Sequence, residues 1–311
     1  MKNSVLFLVF NRADTTAQVF EAIRQARPPR LYVAADGARE GRPGEDALCE
    51  ATRRVATQVD WPCEVRTLFR DRNLGCKAAV SSAITWFFEH EEQGVILEDD
   101  CLPAPVFFAY CDELLEKYRD DERVTCISGD NFLPDSVRQQ LTDSYYFSVF
   151  NHIWGWASWR RAWQGYDVNM SDWSLQRGKA ILKRVFPDNP PLRRIWLGTL
   201  DRVARGEINT WDYQWVYHCW RAGGLTCLPS VNLISNIGFD ERATHTVDGN
   251  NQLAALPTQS LAMPLKHPVE VRQNHRADKW SGHHLFPVAR YTLRRVLGRR
   301  IKVFLGLRQE A

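Results

Sequence analysis

The stretch GVILEDDCLPAP, residues 94–105, sets three carboxylates, Glu98, Asp99 and Asp100, directly after an apolar run. Adjacent like charges repel, so a strand that ends this way needs something positive beside it. Oxygen-only donors select hard divalent cations, Mg²⁺ or Mn²⁺, and Mg²⁺ commonly completes its shell with phosphate oxygens. A cation carrying a diphosphate is one partner the triplet suits. The other reading is a solvated acidic turn, because negative charge also favours the start of a helix opening at Pro103. For phosphate groups the strand ends offer Arg12, with Arg70 and Lys77 as further candidates. Two phosphate-binding loops are missing. No G-x-x-x-x-G-K-[ST] run occurs, and no G-x-G-x-x-G follows the first apolar run.

The elements that must position these groups are legible in the first half. Continuous apolar runs at 4–10, 30–36, 63–70, 94–99 and 124–130 predict strands. Between them lie predicted helices at 15–26, capped by Asp14, at 44–58, at 77–90, and from Pro103 to Tyr118. Strands without polar alternation, joined by helices, predict a mostly parallel sheet covered on both faces. Such sheets take ligands at the carboxyl ends of their strands. Asn11-Arg12, Asp36-Gly37, Arg70-Asp71 and the acidic triplet all stand at such ends, so one rim should hold them.

After residue 140 the pattern changes. Residues 144–150 predict a strand, the aromatic stretch NHIWGWASWRRAW follows at 151–163, and helices are expected near 178–186, 191–204 and 209–220. Residues 225–238 read as a last strand and its continuation, while 246–286 show little periodicity and should wrap the surface. Most of the twelve tryptophans fall between Trp154 and Trp220, which gives that half a distinct core or a distinct task. The expected organisation is a first half at 1–131, a second half of the same domain at 132–250, and an extension at 251–311. That extension ends in a basic amphipathic segment, with Arg294, Arg295, Arg299, Arg300 and Lys302 beside Val296, Leu297, Ile301, Phe304 and Leu305. It suits peripheral contact with an anionic membrane surface, or equally packing on its own domain.

Composition narrows the class. The chain has 311 residues, 44% hydrophobic and 25% charged, with a net charge of only +3, which argues against nucleic acid. The apolar start is short and lacks a small-residue cleavage site, so it reads as a core strand rather than a leader. No apolar run approaches the length of a membrane span. The eight cysteines are dispersed, without C-x-x-C or zinc spacing, which predicts a reduced, cytoplasmic protein.

A first strand ending in FNR, a second ending in AADG and a fourth ending in LEDDC resemble the nucleotide-sugar half of fold-A (GT-A) glycosyltransferases. The likeness is to glycosyltransferase family 2-like proteins and to N-acetylglucosaminyltransferases that use Glu-Asp-Asp in place of Asp-x-Asp. It spans residues 4–245, densely in the first half and patchily in the second. The resemblance implies that Asp36 contacts the nucleotide base and Arg12 the diphosphate, with Phe10 and Asn11 beside the nucleotide. It makes Asp100 the metal ligand, with Asp99 and Glu98 on the ribose and sugar side, and with His245 in the ERATHT stretch as a late metal ligand. Gly155 and Trp156 resemble the segment near the donor sugar, and Trp211-Asp212 the segment carrying the catalytic base. The implied reaction is inverting transfer, with Mn²⁺ or Mg²⁺, from a nucleotide-sugar donor (UDP or dTDP) to a glycan or lipid-linked acceptor. The tryptophans serve equally well as core aromatics, and Asp212 could also cap the helix that begins there.

Three other classes are weighed against this one. A sugar-1-phosphate nucleotidylyltransferase needs a Gly-rich basic loop after the first strand, where FNRADTT stands instead. A phosphohydrolase of the Asp-x-Asp-x-Thr type needs an aspartate where Asn11 stands. A carbohydrate-binding or toxin-like protein accounts for the tryptophans but not for the convergence of Arg12, Asp36 and Asp100.

Overall fold

The structure is a computed structural model that describes residues 1–239, 253 and 255–286. In chain order the elements are β1 (Ser4–Val9), α1 (Ala13–Ala26), β2 (Arg30–Ala35), α2 (Glu45–Ala56), β3 (Glu64–Phe69), α3 (Gly75–His90) and β4 (Gln93–Glu98). Then come β5 (Cys101–Pro103), α4 (Val106–Lys117), β6 (Val124–Ser128), α5 (Asp135–Arg138), β7 (Tyr145–Ser148), β8 (Trp156–Trp159) and α6 (Arg160–Trp163). The chain continues through α7 (Leu175–Val185), α8 (Pro190–Ala204), α9 (Asp212–Ala222), β9 (Leu225–Pro229), β10 (Ile234–Asn236) and α10 (His275–His284).

Eight strands form the central sheet in the order β3-β2-β1-β4-β8-β6-β9-β7. The pairs β3-β2, β2-β1, β1-β4 and β6-β9 are parallel, as continuous apolar runs require. With helices packed against it, the sheet has the mixed α/β, mostly parallel architecture that the sequence predicted. β1 is wholly buried, and Val5, Leu6 and Phe7 have no exposed surface. A second core lies among α7, α8 and α9, where Trp196 meets Trp220 edge to face at 4.6 Å.

Several expectations change. The Trp156–Trp159 segment is a strand, not merely an aromatic stretch, and it runs antiparallel between β4 and β6. β3 is the sheet edge, with Val65 and Phe69 partly exposed, rather than a buried strand. Asp14 lies inside the first turn of α1, whose cap position is Arg12; there the Thr15 and Thr16 hydroxyls donate to the Arg12 carbonyl. Pro103 ends β5, so the acidic triplet leads into a short strand and not into a helix N-terminus. The favourable helix dipole that would have explained the triplet is therefore absent at that point. Residues 275–284, which show no apolar period, form α10, held by the Asn274 cap on the Ala277 amide. No helix among the described residues is long and apolar enough to cross a membrane. The basic segment at 288–309 lies outside the described residues.

Candidate active site

Chain direction decides what reaches the rim. β1, β2 and β4 all end there, and their next residues, Phe10 to Arg12, Asp36, and Glu98 to Asp100, line one cavity of about 350 Å³. β8 runs the opposite way, so the chain enters it from the rim. Its approach, Ile153 and Trp154, therefore lines the cavity, whereas Trp156 has already descended into the core beside Ile96 and Ser128. The start of α9 closes the far wall with Thr210, Trp211 and Asp212. Asn236, the last residue of β10, and Gly238 and Phe239 just past it complete the cavity.

The triplet has a cation partner within the protein. The Arg12 guanidinium donates to Asp99 Oδ1 at 3.1 Å and to Asp100 Oδ2 at 2.5 Å. It also donates to the Gly238 carbonyl at 3.2 Å, and the Phe10 amide donates to Asp99 Oδ2 at 3.3 Å. The β5-β10 ribbon fixes this arrangement from above, with the Ile237 amide on the Asp100 carbonyl at 2.8 Å. Only glycine fits at 238 as the chain crosses the pair, because a Cβ there would lie 2.0 Å from Asp100 Oδ2. One guanidinium does not balance three carboxylates. Burial, then repulsion from Asp100, Asp99 and Asp212, pushes Glu98 well above the carboxylate range. Burial and then Asp100 push Asp99 up as well, against the pull of Arg12.

Asp36 is tied to the backbone. Its carboxylate accepts from the Gly37 amide at 3.0 Å, the Leu74 amide at 2.9 Å and the Gly75 amide at 3.0 Å. It thereby fastens the start of α3 to the end of β2. Gly37 lets the two loops touch, since a Cβ there would come within 2.5 Å of the Arg72 backbone. Asn11 donates to Glu45 at 3.1 Å, and the Arg39 amide meets the same carboxylate at 2.7 Å. Arg39 in turn lies over the Phe10 ring, 5.4 Å from its centre.

Asp212 is the first residue of α9, not its cap; that position is Trp211, which makes no side-chain capping bond. The Asp212 carboxylate accepts the hydroxyl of Thr210. Beneath it, Tyr166 donates to the Trp211 carbonyl at 2.9 Å, and Trp211 stacks on Trp156 with ring centres 5.9 Å apart. Trp156 is completely buried, so its ring supports the cavity wall and does not face the cavity, and Gly155 is not among the lining residues either. The segment expected near the donor sugar thus meets the cavity at Trp154, not at Gly155 or Trp156. His245 lies outside the described residues. Lining residues that the sequence did not single out include Arg39, Asn73, Cys76, Trp154, Thr210 and Phe239. Of these, Trp154 was legible only as part of an aromatic stretch, and the others carry no local signal.

The donor set suits a hard divalent cation. Glu98, Asp99 and Asp100 supply oxygens only, and the elevated proton affinities of Glu98 and Asp99 mark negative charge that a cation would neutralise. Among the described residues no three His, Cys, Asp or Glu side chains form a ready-made metal cage. Such a cage is not required of Mg²⁺, which is usually held by one or two carboxylates plus substrate phosphates.

No protein-family model matches the chain, and no curated protein does. Among solved structures, the crystal structure of S. aureus TarS 1–349 is similar at a TM-score of 0.39 and 9% identity, covering 74% of this chain and 58% of that one. The chain thus spans less than two thirds of the TarS structure. Apo UDP-glucose pyrophosphorylase gives a TM-score of 0.35 at 10% identity, covering 74% of this chain and 90% of that one. HddC from Yersinia pseudotuberculosis gives 0.30 at 10% identity, covering 55% and 80%. Likenesses at this level assign no reaction, and the functional reading rests on the cavity itself.

Proposed function

We propose that this chain transfers a sugar from a nucleotide-diphospho-sugar, of the UDP or dTDP kind, to the hydroxyl of a glycan or lipid-linked acceptor, with inversion. The observation that carries this reading is the meeting of Arg12, Asp36, the acidic triplet and Asp212 in one cavity at the carboxyl ends of parallel strands. Asp100, with Asp99 beside it, would hold Mn²⁺ or Mg²⁺, which neutralises charge on the leaving diphosphate. Arg12 binds the same diphosphate, while Asp36 and the loop it fastens frame the base. Glu98 faces the sugar, and Trp154 and Trp211, rather than Trp156, are the aromatic walls available to it. Asp212 accepts the acceptor's hydroxyl proton as that oxygen attacks the anomeric carbon. The bond from that carbon to the phosphate oxygen breaks, and the nucleoside diphosphate leaves.

Calorimetric titration with UDP, with and without Mn²⁺, tests the binding half, and a donor-hydrolysis screen over nucleotide sugars tests the chemistry. Metal-dependent UDP binding together with hydrolysis of at least one nucleotide sugar is expected. Release of pyrophosphate from a nucleoside triphosphate and a sugar phosphate would replace the reading with a nucleotidylyltransferase. Sugar binding without any nucleotide affinity would replace it with a carbohydrate-binding protein.

A further inference from the structure

We infer that Arg12 is a built-in counter-cation for the acidic triplet, which must leave Asp100 before a divalent metal can bind there, so that metal and diphosphate bind as a coupled pair. This rests on the proposed nucleotide-sugar reading of the cavity. The guanidinium is the one cationic group among the described residues that contacts both carboxylates, at 3.1 and 2.5 Å, and its other bond is to the Gly238 carbonyl. The pair is largely shielded from solvent, with 12% of the Arg12 side chain and 17% of the Asp100 side chain exposed. Buried pairs of this kind are screened little by salt and strongly penalise the loss of one partner.

The consequence follows from charge. A metal arriving alone meets an oxygen already bonded to a guanidinium and must either displace Arg12 from its 2.5 Å contact, leaving it the longer one to Asp99, or bind beside a positive charge. A diphosphate supplies a replacement anion. Arg12 can turn from Asp100 to the phosphate oxygens, which would free that carboxylate to hold a metal. Each ligand removes the obstacle to the other, and coupling of this type is reciprocal. Arg70 lines the same cavity but is bonded to the Ser82 hydroxyl at 3.1 Å, so its charge lies off the triplet.

The test measures Mn²⁺ binding directly, by the loss of the free-ion paramagnetic resonance signal, with and without UDP. It uses wild type, Arg12→Gln, Arg12→Lys and Arg70→Gln, each checked for fold by circular dichroism. Wild type should bind Mn²⁺ weakly alone and about 10-fold or more tightly with UDP, within the usual range of coupling. Arg12→Gln should bind Mn²⁺ alone about 10-fold more tightly than wild type, and UDP should add little. Arg12→Lys, which keeps the charge, should stay near wild type, and Arg70→Gln should leave Mn²⁺ binding without UDP unchanged. Unchanged or weaker metal-only binding in folded Arg12→Gln overturns the inference. An equal gain in Arg70→Gln overturns it too, because the effect would then be general electrostatics. The two readings fail separately. If wild type shows no UDP binding while Arg12→Gln gains metal, the counter-cation stands and the nucleotide reading falls. If wild type binds UDP with metal but Arg12→Gln gains nothing, the nucleotide reading stands alone.

Discussion

Asp212 sits where a proton acceptor and a structural residue would be separable by a single substitution. Its carboxylate carries the Thr210 hydroxyl, and the cap position of α9 belongs to Trp211. Asp212→Asn preserves shape and still accepts from Thr210, so folding should be unaffected. General-base contributions are about 10²–10⁴-fold in rate. We therefore expect turnover in donor transfer to fall by that order, with donor affinity unchanged in calorimetry, the pattern of an interaction realised only in the transition state. Near-wild-type turnover would remove Asp212 from the mechanism. Arg12, Asp36, Glu98, Asp99, Asp100 and Asp212 were all legible in sequence as polar groups at strand ends or at a helix start. Their bonds to one another were not. That Arg12 faces Asp99 and Asp100, or that Asp36 gathers the Leu74 and Gly75 amides, depends on separations in sequence of 87, 88, 38 and 39 residues. No local pattern encodes such contacts.

Among the elements, α10 shows how a weakly patterned segment is nonetheless fixed. The Asp278 carboxylate accepts from the Ser148 hydroxyl at 2.5 Å, the Val149 amide at 3.1 Å and Gln273 Nε2 at 2.7 Å, joining α10 to the end of β7. Asp278→Ala would strand buried donors, and a loss of roughly 1–3 kcal/mol is expected in urea denaturation. Burial pushes Asp278 from its ordinary 3.8 up to about 6, against the pull of those hydrogen bonds. The folded state thus holds this proton more tightly than the unfolded chain. Its contribution to stability is fully present below about pH 4 and is lost as pH rises through about 6. Asp278→Asn should flatten that part of the stability profile, and an unchanged slope would exclude Asp278 as its source. α10 escaped the sequence reading because polar anchoring, not an apolar stripe, holds it. β8 escaped for another reason: four residues are too few to show a period, and its neighbours lie about 30 and 60 residues earlier, at Ile127–Ser128 and Gln93–Ile96. The parallel strands were legible because burial on both faces writes a continuous apolar run.

Across the whole molecule, eight strands from both halves of the chain share one sheet, and the cavity takes residues from as early as Leu8 and as late as Phe239. The insertion of β8 between β4 and β6 has a consequence for how the protein is made. As the chain leaves the ribosome, β1 to β4 can associate at once, since each parallel neighbour is already present. β6 cannot join them. Its partners are β8 and β9, both still to be synthesised, and β4 meanwhile shows a bare row of amides and carbonyls from Gln93 to Ile96. Unpaired apolar strands recruit strands from other chains. A fragment ending at residue 131 should therefore aggregate, while one ending at 286, which keeps α10 on β7, should stay in solution, as sedimentation of the two after expression would establish. Soluble, monomeric 1–131 would show that the first half covers its own open side. The nascent first half is thus at its most vulnerable until the WASW segment arrives to seal it.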